Sequence, residues 1–300
     1  MSVLDRIRET FAGGNGGAPG PASLSREEVE RRLAAGDRAM AGVRLTGVDL
    51  SGMDLRNAML TGAHLGDAVL KRADLSGANL SGAELERADF MGATLTGADL
   101  SRACMQDADF TGAVLQGATL RDANTLRTGA QSPPVLEGAN LDGADATGAD
   151  FTRANLRGAV LTHARLVESS LHRADLSGAR AAGAQLSGAN LRHATLEGTD
   201  LSGAGLDESD LASARAPGAR LDGARLARAN LSGINLERAD LTGADLSDAI
   251  LEDARLNGAM LRGAVFTHAD MGGADLTGAE LDGADLSAAR NLPPRTATVA

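Results

Sequence analysis

ADLSGANLSGAELERADF, residues 73–90, repeats one five-residue unit: Ala, an acid or Asn, Leu or Phe, then two positions rich in small polar residues and Gly. With the Leu/Phe position called i, the unit recurs at every fifth residue from Leu45 to Leu120 and again from Leu136 to Leu286, as 16 and then 31 units. Of these 47, position i is Leu in 38 and position i−2 is Ala in 39, so the period governs the fold and replaces the usual division of 300 residues into one or two globular domains.

Five residues fit neither the 3.6 period of a helix nor the alternation of a strand. A chain that turns about a right angle at each unit closes a square in 20 residues, and the next coil stacks at roughly 4.8 Å, where backbone groups pair between coils. Leu at i and Ala at i−2 then point inward, and i−1, i+1 and i+2 face water. Gly holds 27 of the 47 i+2 positions, as expected of a turn with positive φ. The other 20 include Arg, Asp, Glu and His, which implies a second turn geometry at some corners.

ADLSG at residues 73–77 and ANLSG at 78–82 match A-(D/N)-L-x-x throughout, and on them the chain resembles the pentapeptide-repeat family. The resemblance implies an all-β fold, a right-handed quadrilateral parallel β-helix, over residues 43 to about 290. It says far less about function, which resides in sites grafted on a fold.

The expected organisation runs in six parts. Residues 1–22 are a short amphipathic helix followed by the Gly/Pro linker AGGNGGAPGPA, with Val3, Leu4, Ile7 and Phe11 on one face as a candidate docking helix. In residues 23–42, Ser25 and Glu28 read as a capping box, Leu24 and Val29 as its apolar staple and Gly36 as the C-terminal stop, giving a helical cap over the open end of the array. The first repeat segment covers 43–122 and the second 136–290. Between them, at 123–135, the register slips: 16 residues separate Leu120 from Leu136, three units plus one. Thr125 is the simplest inserted residue, which sets Leu126 and Gln131 at i and Gly129 and Pro134 at i−2. TLRTGAQSPP, with Thr125, Arg127, Gln131 and Pro133, is then a protruding candidate loop, either for docking or as a neutral corner insertion. Counting two degenerate units there gives 49, or about 12 coils and a rod of about 55–60 Å. Residues 291–300 are a tail.

Within the array, Phe90 and Phe110 are one coil apart and should stack in the core. Ala146, Ala181 and Ala216 replace Leu at i on different faces and should thin the core without opening a ligand cavity.

No catalytic, cofactor or metal site is expected. His64, His163, His172, His193 and His268 never differ by a multiple of 20, so none should stack, and Cys104 has no activating neighbour in the pattern. With one Cys, no secretory signal and no apolar run of membrane length, the chain reads as cytoplasmic.

The net charge of −11 argues against direct nucleic-acid binding. The excess collects at one end, where residues 237–285 carry eleven carboxylates against three Arg. Asp270, Asp275, Glu280 and Asp285 are consecutive i−1 positions and should ring one coil; with Asp240 and Asp245 they form the candidate interaction surface. Like charges around an open β edge would resist end-to-end stacking. Alternatively, spaced carboxylates on a rod could mimic a DNA duplex, as the resemblance to gyrase-engaging members of the family implies. The expected function is a non-enzymatic protein-binding scaffold, with a modulator of DNA gyrase or a secretion- or effector-associated scaffold addressed by the first helix as alternatives. A homodimer stays open, although the gyrase-engaging members that the chain resembles dimerise through C-terminal elements and NLPPRTATVA holds no amphipathic helix.

Overall fold

The computed structural model describes residues 23–124 and 133–292. The candidate docking helix, with Val3, Leu4, Ile7 and Phe11, lies outside the described residues, as do Thr125, Leu126, Arg127, Gly129, Gln131 and the end of the tail.

Within the two runs the backbone pairs in single parallel rungs 20 residues apart, as in Asp54↔Asp74↔Thr94, and the paired residue is i−1. A step of four units per turn gives the coil four faces. Rungs Glu84, Cys104 and Asn124 lie on face 1, Asp89 and Asp109 on face 2, Thr94 and Val114 on face 3, Asp99 and Thr119 on face 4. Each rung is one residue long, so the coil is built mostly of corners.

A unit such as residues 73–77 accounts for its five N–H groups one by one. Leu75 donates to Thr94 in the next coil (2.7 Å), Gly77 to Thr96 (2.9 Å), and Asp74 back to Met53 (2.9 Å). Ala78, which opens the following unit, donates across the corner to Leu75 (2.9 Å). The i+1 N–H, Ser76 here, has no backbone acceptor and instead donates to the Asp74 carboxylate two residues back (3.0 Å). This Asx turn gives the acid-or-Asn at i−1 a structural role, because it closes the one backbone donor that the ladder omits.

Inward positions are filled as the pattern implies. Leu at i and Ala at i−2 are almost uniformly buried in one continuous core. Phe90 and Phe110 stack in parallel, with ring centroids 4.7 Å apart and planes at 4°. Ser169, Thr199 and Ser209 replace Ala at i−2 and stay satisfied by donating to the carbonyls of Leu166, Leu176 and Leu206.

Corners are more uniform than the sequence suggests. Every i+2 residue of the two runs except Ala288 has positive φ, and the non-glycine ones, including Arg238, His193 and Glu208, lie between 54° and 64°. Apart from Ala288, glycine and non-glycine corners therefore share one left-handed i+2 conformation. The fixed rung on either side holds L-residues in the left-handed region at a cost of roughly 1–2 kcal/mol each. Arg238→Gly is accordingly expected to raise stability by about 0.5–1 kcal/mol after the entropy cost of Gly, and Gly258→Val one coil above to lower it by at least about 1 kcal/mol, both read from denaturant melts.

The register break also differs from expectation. Asn124 pairs with Cys104, but the next rung, Val135, pairs with Asp109, 26 residues back, and Asn140 and Asp145 keep that spacing. One corner, not two, thus separates Asn124 from Val135. The chain between these two rungs is six residues longer than one unit, and it joins face 1 to face 2. Pro134 is buried in its i−2 slot, and the N–H it lacks is the one that other units donate across the corner to the preceding i carbonyl.

Helix α1, Arg26–Ala34, precedes the coils. Ser25 caps it by accepting from the Glu28 N–H (3.3 Å), and Gly36 and Asp37 donate to Leu33 and Arg32 in a Schellman closure. The reciprocal half of the capping box is replaced, because the Glu28 carboxylate turns to Arg31 and Arg32. Val29 and Leu24 are buried and Leu33 packs against the core.

Candidate interaction surface

Asp270, Asp275, Glu280 and Asp285 stand on the four faces of a single coil, over rungs Ile250, Arg255, Met260 and Val265. The ring is one coil deep. Asp240 sits between Arg220 and Met260, and Asp245 between Arg225 and Val265, so neither extends an acidic column along the rod.

Five of the six carboxylates also serve their own corners. Asp240 and Asp275 accept the N–H of Thr242 and Thr277, Asp245 and Asp285 accept both N–H and hydroxyl of Ser247 and Ser287, and Asp270 accepts Gly272 N–H and the Asn291 amide. Glu280, one methylene longer, forms instead an ion pair with Arg262 at 2.8 Å. The hydroxyl and N–H of Thr277 hold the Asp275 pKa below its ordinary value, those of Ser287 do so for Asp285, and Asn291 and Gly272 for Asp270. At Asp175, burial pushes the pKa up, but the Ser177 hydroxyl and N–H and Arg157 outweigh it and the net shift is downward.

A depressed carboxyl pKa contributes stability above the unfolded-state value, about 3.9, and loses it as pH falls through the lower folded-state value. Melting temperature should therefore fall as pH drops below about 4. Asp175→Asn keeps an oxygen acceptor for Ser177 N–H without the titration, so its melting temperature should fall less between neutral pH and pH about 3.

The candidate loop contributes only Pro133 to the described residues, half-buried beside buried Pro134. Among the described residues no group of three or more His, Cys, Asp or Glu could hold a metal ion, and no helix is long and apolar enough to cross a membrane. An apolar void of about 10 Å³ lies among Ala216, Leu221, Leu236 and Ile234, room for about one water and lined by nothing that would bind it.

The histidines do not stay apart. His172 and His193 meet edge to face with ring centroids 5.6 Å apart. They are 21 residues apart, because an i+1 residue of one coil neighbours the i+2 residue of the next across a corner; a search for spacings of 20 misses that diagonal. Arg153 and Arg173 occupy the same edge. His172 Nδ1 is buried without a hydrogen-bond partner, and burial first, then Arg173 and His193, lowers the pKa of its ring.

The sequence matches the family profile "Pentapeptide repeats (8 copies)" over residues 40–124 and 135–290. Among solved structures it is similar to HetL, a pentapeptide repeat protein involved in heterocyst differentiation regulation from the cyanobacterium Nostoc sp. strain PCC 7120. The two are 32% identical over 89% of this chain and 96% of that one, with a TM-score of 0.24. It is also similar to QnrB1, a plasmid-mediated fluoroquinolone resistance protein, at 21% identity over 81% and 90% of the two chains and a TM-score of 0.19. Rfr23 from the cyanobacterium Cyanothece 51142 is 25% identical over 47% of this chain and 88% of that one, with a TM-score of 0.20. No curated protein matches the sequence. The profile match covers most of the 300 residues and its breaks coincide with the start, the six-residue insertion and the tail, so the chain belongs to the pentapeptide-repeat family, whose fold is the right-handed quadrilateral β-helix.

Proposed function

We propose that the chain is a non-enzymatic scaffold that presents a rigid lattice of outward side chains to a protein partner. The observation that carries this reading is the complete use of a unit such as residues 73–77: two inward side chains pack the core, and all five N–H groups have an assigned acceptor, a pattern that units with Asp or Asn at i−1 repeat below the last coil. What varies from unit to unit is the outward triplet, on a grid set by the rungs. A rigid grid binds without an ordering cost on its own side. Affinity purification from the native cell, with the full chain and with residues 1–22 removed, tests the reading: a specific protein captured by the full chain is expected, and capture of none overturns it. Loss of that protein on truncation would assign residues 1–22 the role of address or adaptor.

A second reading, a DNA-mimicking modulator of a type II topoisomerase, is favoured by one observation, the carboxylates on all four faces of the coil at 270–285. It predicts that the pure protein alters gyrase supercoiling in titration. Against it stands the shallow ring, with Ile250, Arg255, Met260 and Val265 beneath it.

A further inference from the structure

Arg153, His172, Arg173, Arg192 and His193 gather on the edge between faces 1 and 2, in three successive coils joined by Arg153 N–H to His172 (2.8 Å) and Arg173 N–H to Arg192 (3.0 Å). All but the half-buried His172 are exposed. Many arginines elsewhere face a carboxylate one rung or one diagonal away: Arg87 on Asp67, Arg228 on Glu208, Arg157 on Asp175, Arg225 on Asp207. Among the described residues of this edge only Arg192 does, with Asp210 at 3.1 Å. The other nearby carboxylates are engaged. Asp150 accepts the Thr152 N–H and Asp175 holds Arg157 and Ser177. Asn124 and Val135, the rungs that flank residues 125–132, lie on faces 1 and 2, and the sequence between them, TLRTGAQS, contains no acid.

Arg153 and Arg173, with no carboxylate partner among the described residues, on a chain of net charge −11 call for an external anion. The three coils of the edge span about 10 Å between outer rungs, the length of three or four extended residues. A long polyanion such as nucleic acid would meet the acidic remainder of the rod and be repelled, whereas a short acidic segment would touch the edge alone. We propose that the edge from Arg153 to His193 is a docking strip for a short acidic segment of a protein partner. The assignment rests on the scaffold reading above.

Fluorescein-labelled hexaglutamate, titrated by anisotropy against the full chain at low salt, tests it. Binding is expected to weaken as salt rises, to fall about tenfold or more in Arg153→Glu/Arg173→Glu, and to be unchanged in Arg262→Glu, a reversal on another edge. Thermal melts establish that both variants are folded. No binding by the wild type, equal binding by the double variant, or tighter binding of a short DNA duplex through the same two arginines would each overturn the strip. A native partner captured equally by wild type and double variant would remove the strip while leaving the scaffold reading intact. A wild type that captures no protein would remove the scaffold reading and the strip's occupant with it.

Discussion

Phe110→Ala is expected to lower the unfolding free energy by about 3–5 kcal/mol, read from denaturant melts followed by circular dichroism. Phe110 is fully buried and lies parallel to Phe90, so truncation removes both its own packing and half of a stacked pair. The core cannot close over the gap, because the backbone on each side is held by rungs one residue long in every coil. Phe110→Leu restores the residue type that most i positions use and should cost far less. A cycle with Phe90→Leu isolates the stacking, expected at about 0.5–1.5 kcal/mol beyond area burial. Equal losses for Ala and Leu at position 110 would mean that the ring is not core.

The second large effect concerns Ile234, the one Ile at an i−2 position. It sits on face 2 one coil above Ala216, which is itself short at i, and both line the same small void. Ile234 thus supplies part of the volume that Ala216 lacks. Ile234→Ala should enlarge the void and cost about 2–4 kcal/mol. Ala216→Leu in the native background should overpack by about 1–3 kcal/mol. The double variant exchanges large and small between adjacent coils, and its loss should be well below that of Ile234→Ala alone. Additive losses would show that the two sites do not share volume.

Both results bear on function through rigidity. A rod whose coils touch only their neighbours transmits a core defect locally, so a partner contacting distant coils should bind such variants normally as long as they remain folded.

Much of this molecule is written in one short pattern. Leu at i and Ala at i−2 recur on a period that a coil turning once per unit buries, and with the four-sided form that the family resemblance implies, the continuous core and the Phe90–Phe110 stack follow from the residues. Three features depend on neighbours that lie a coil away and are invisible along the chain. Arg, His and Glu accept positive φ at i+2 because rungs above and below constrain the corner more strongly than their own backbone preference does. The length of the insertion is set by which rung Val135 meets, a fact of pairing rather than of spacing. The basic edge arises because corners place residues 21 apart side by side, so His172 meets His193 across a diagonal that no count of fives contains. A local repeat specifies its own burial, but which outward residues become neighbours is decided by how the coils stack.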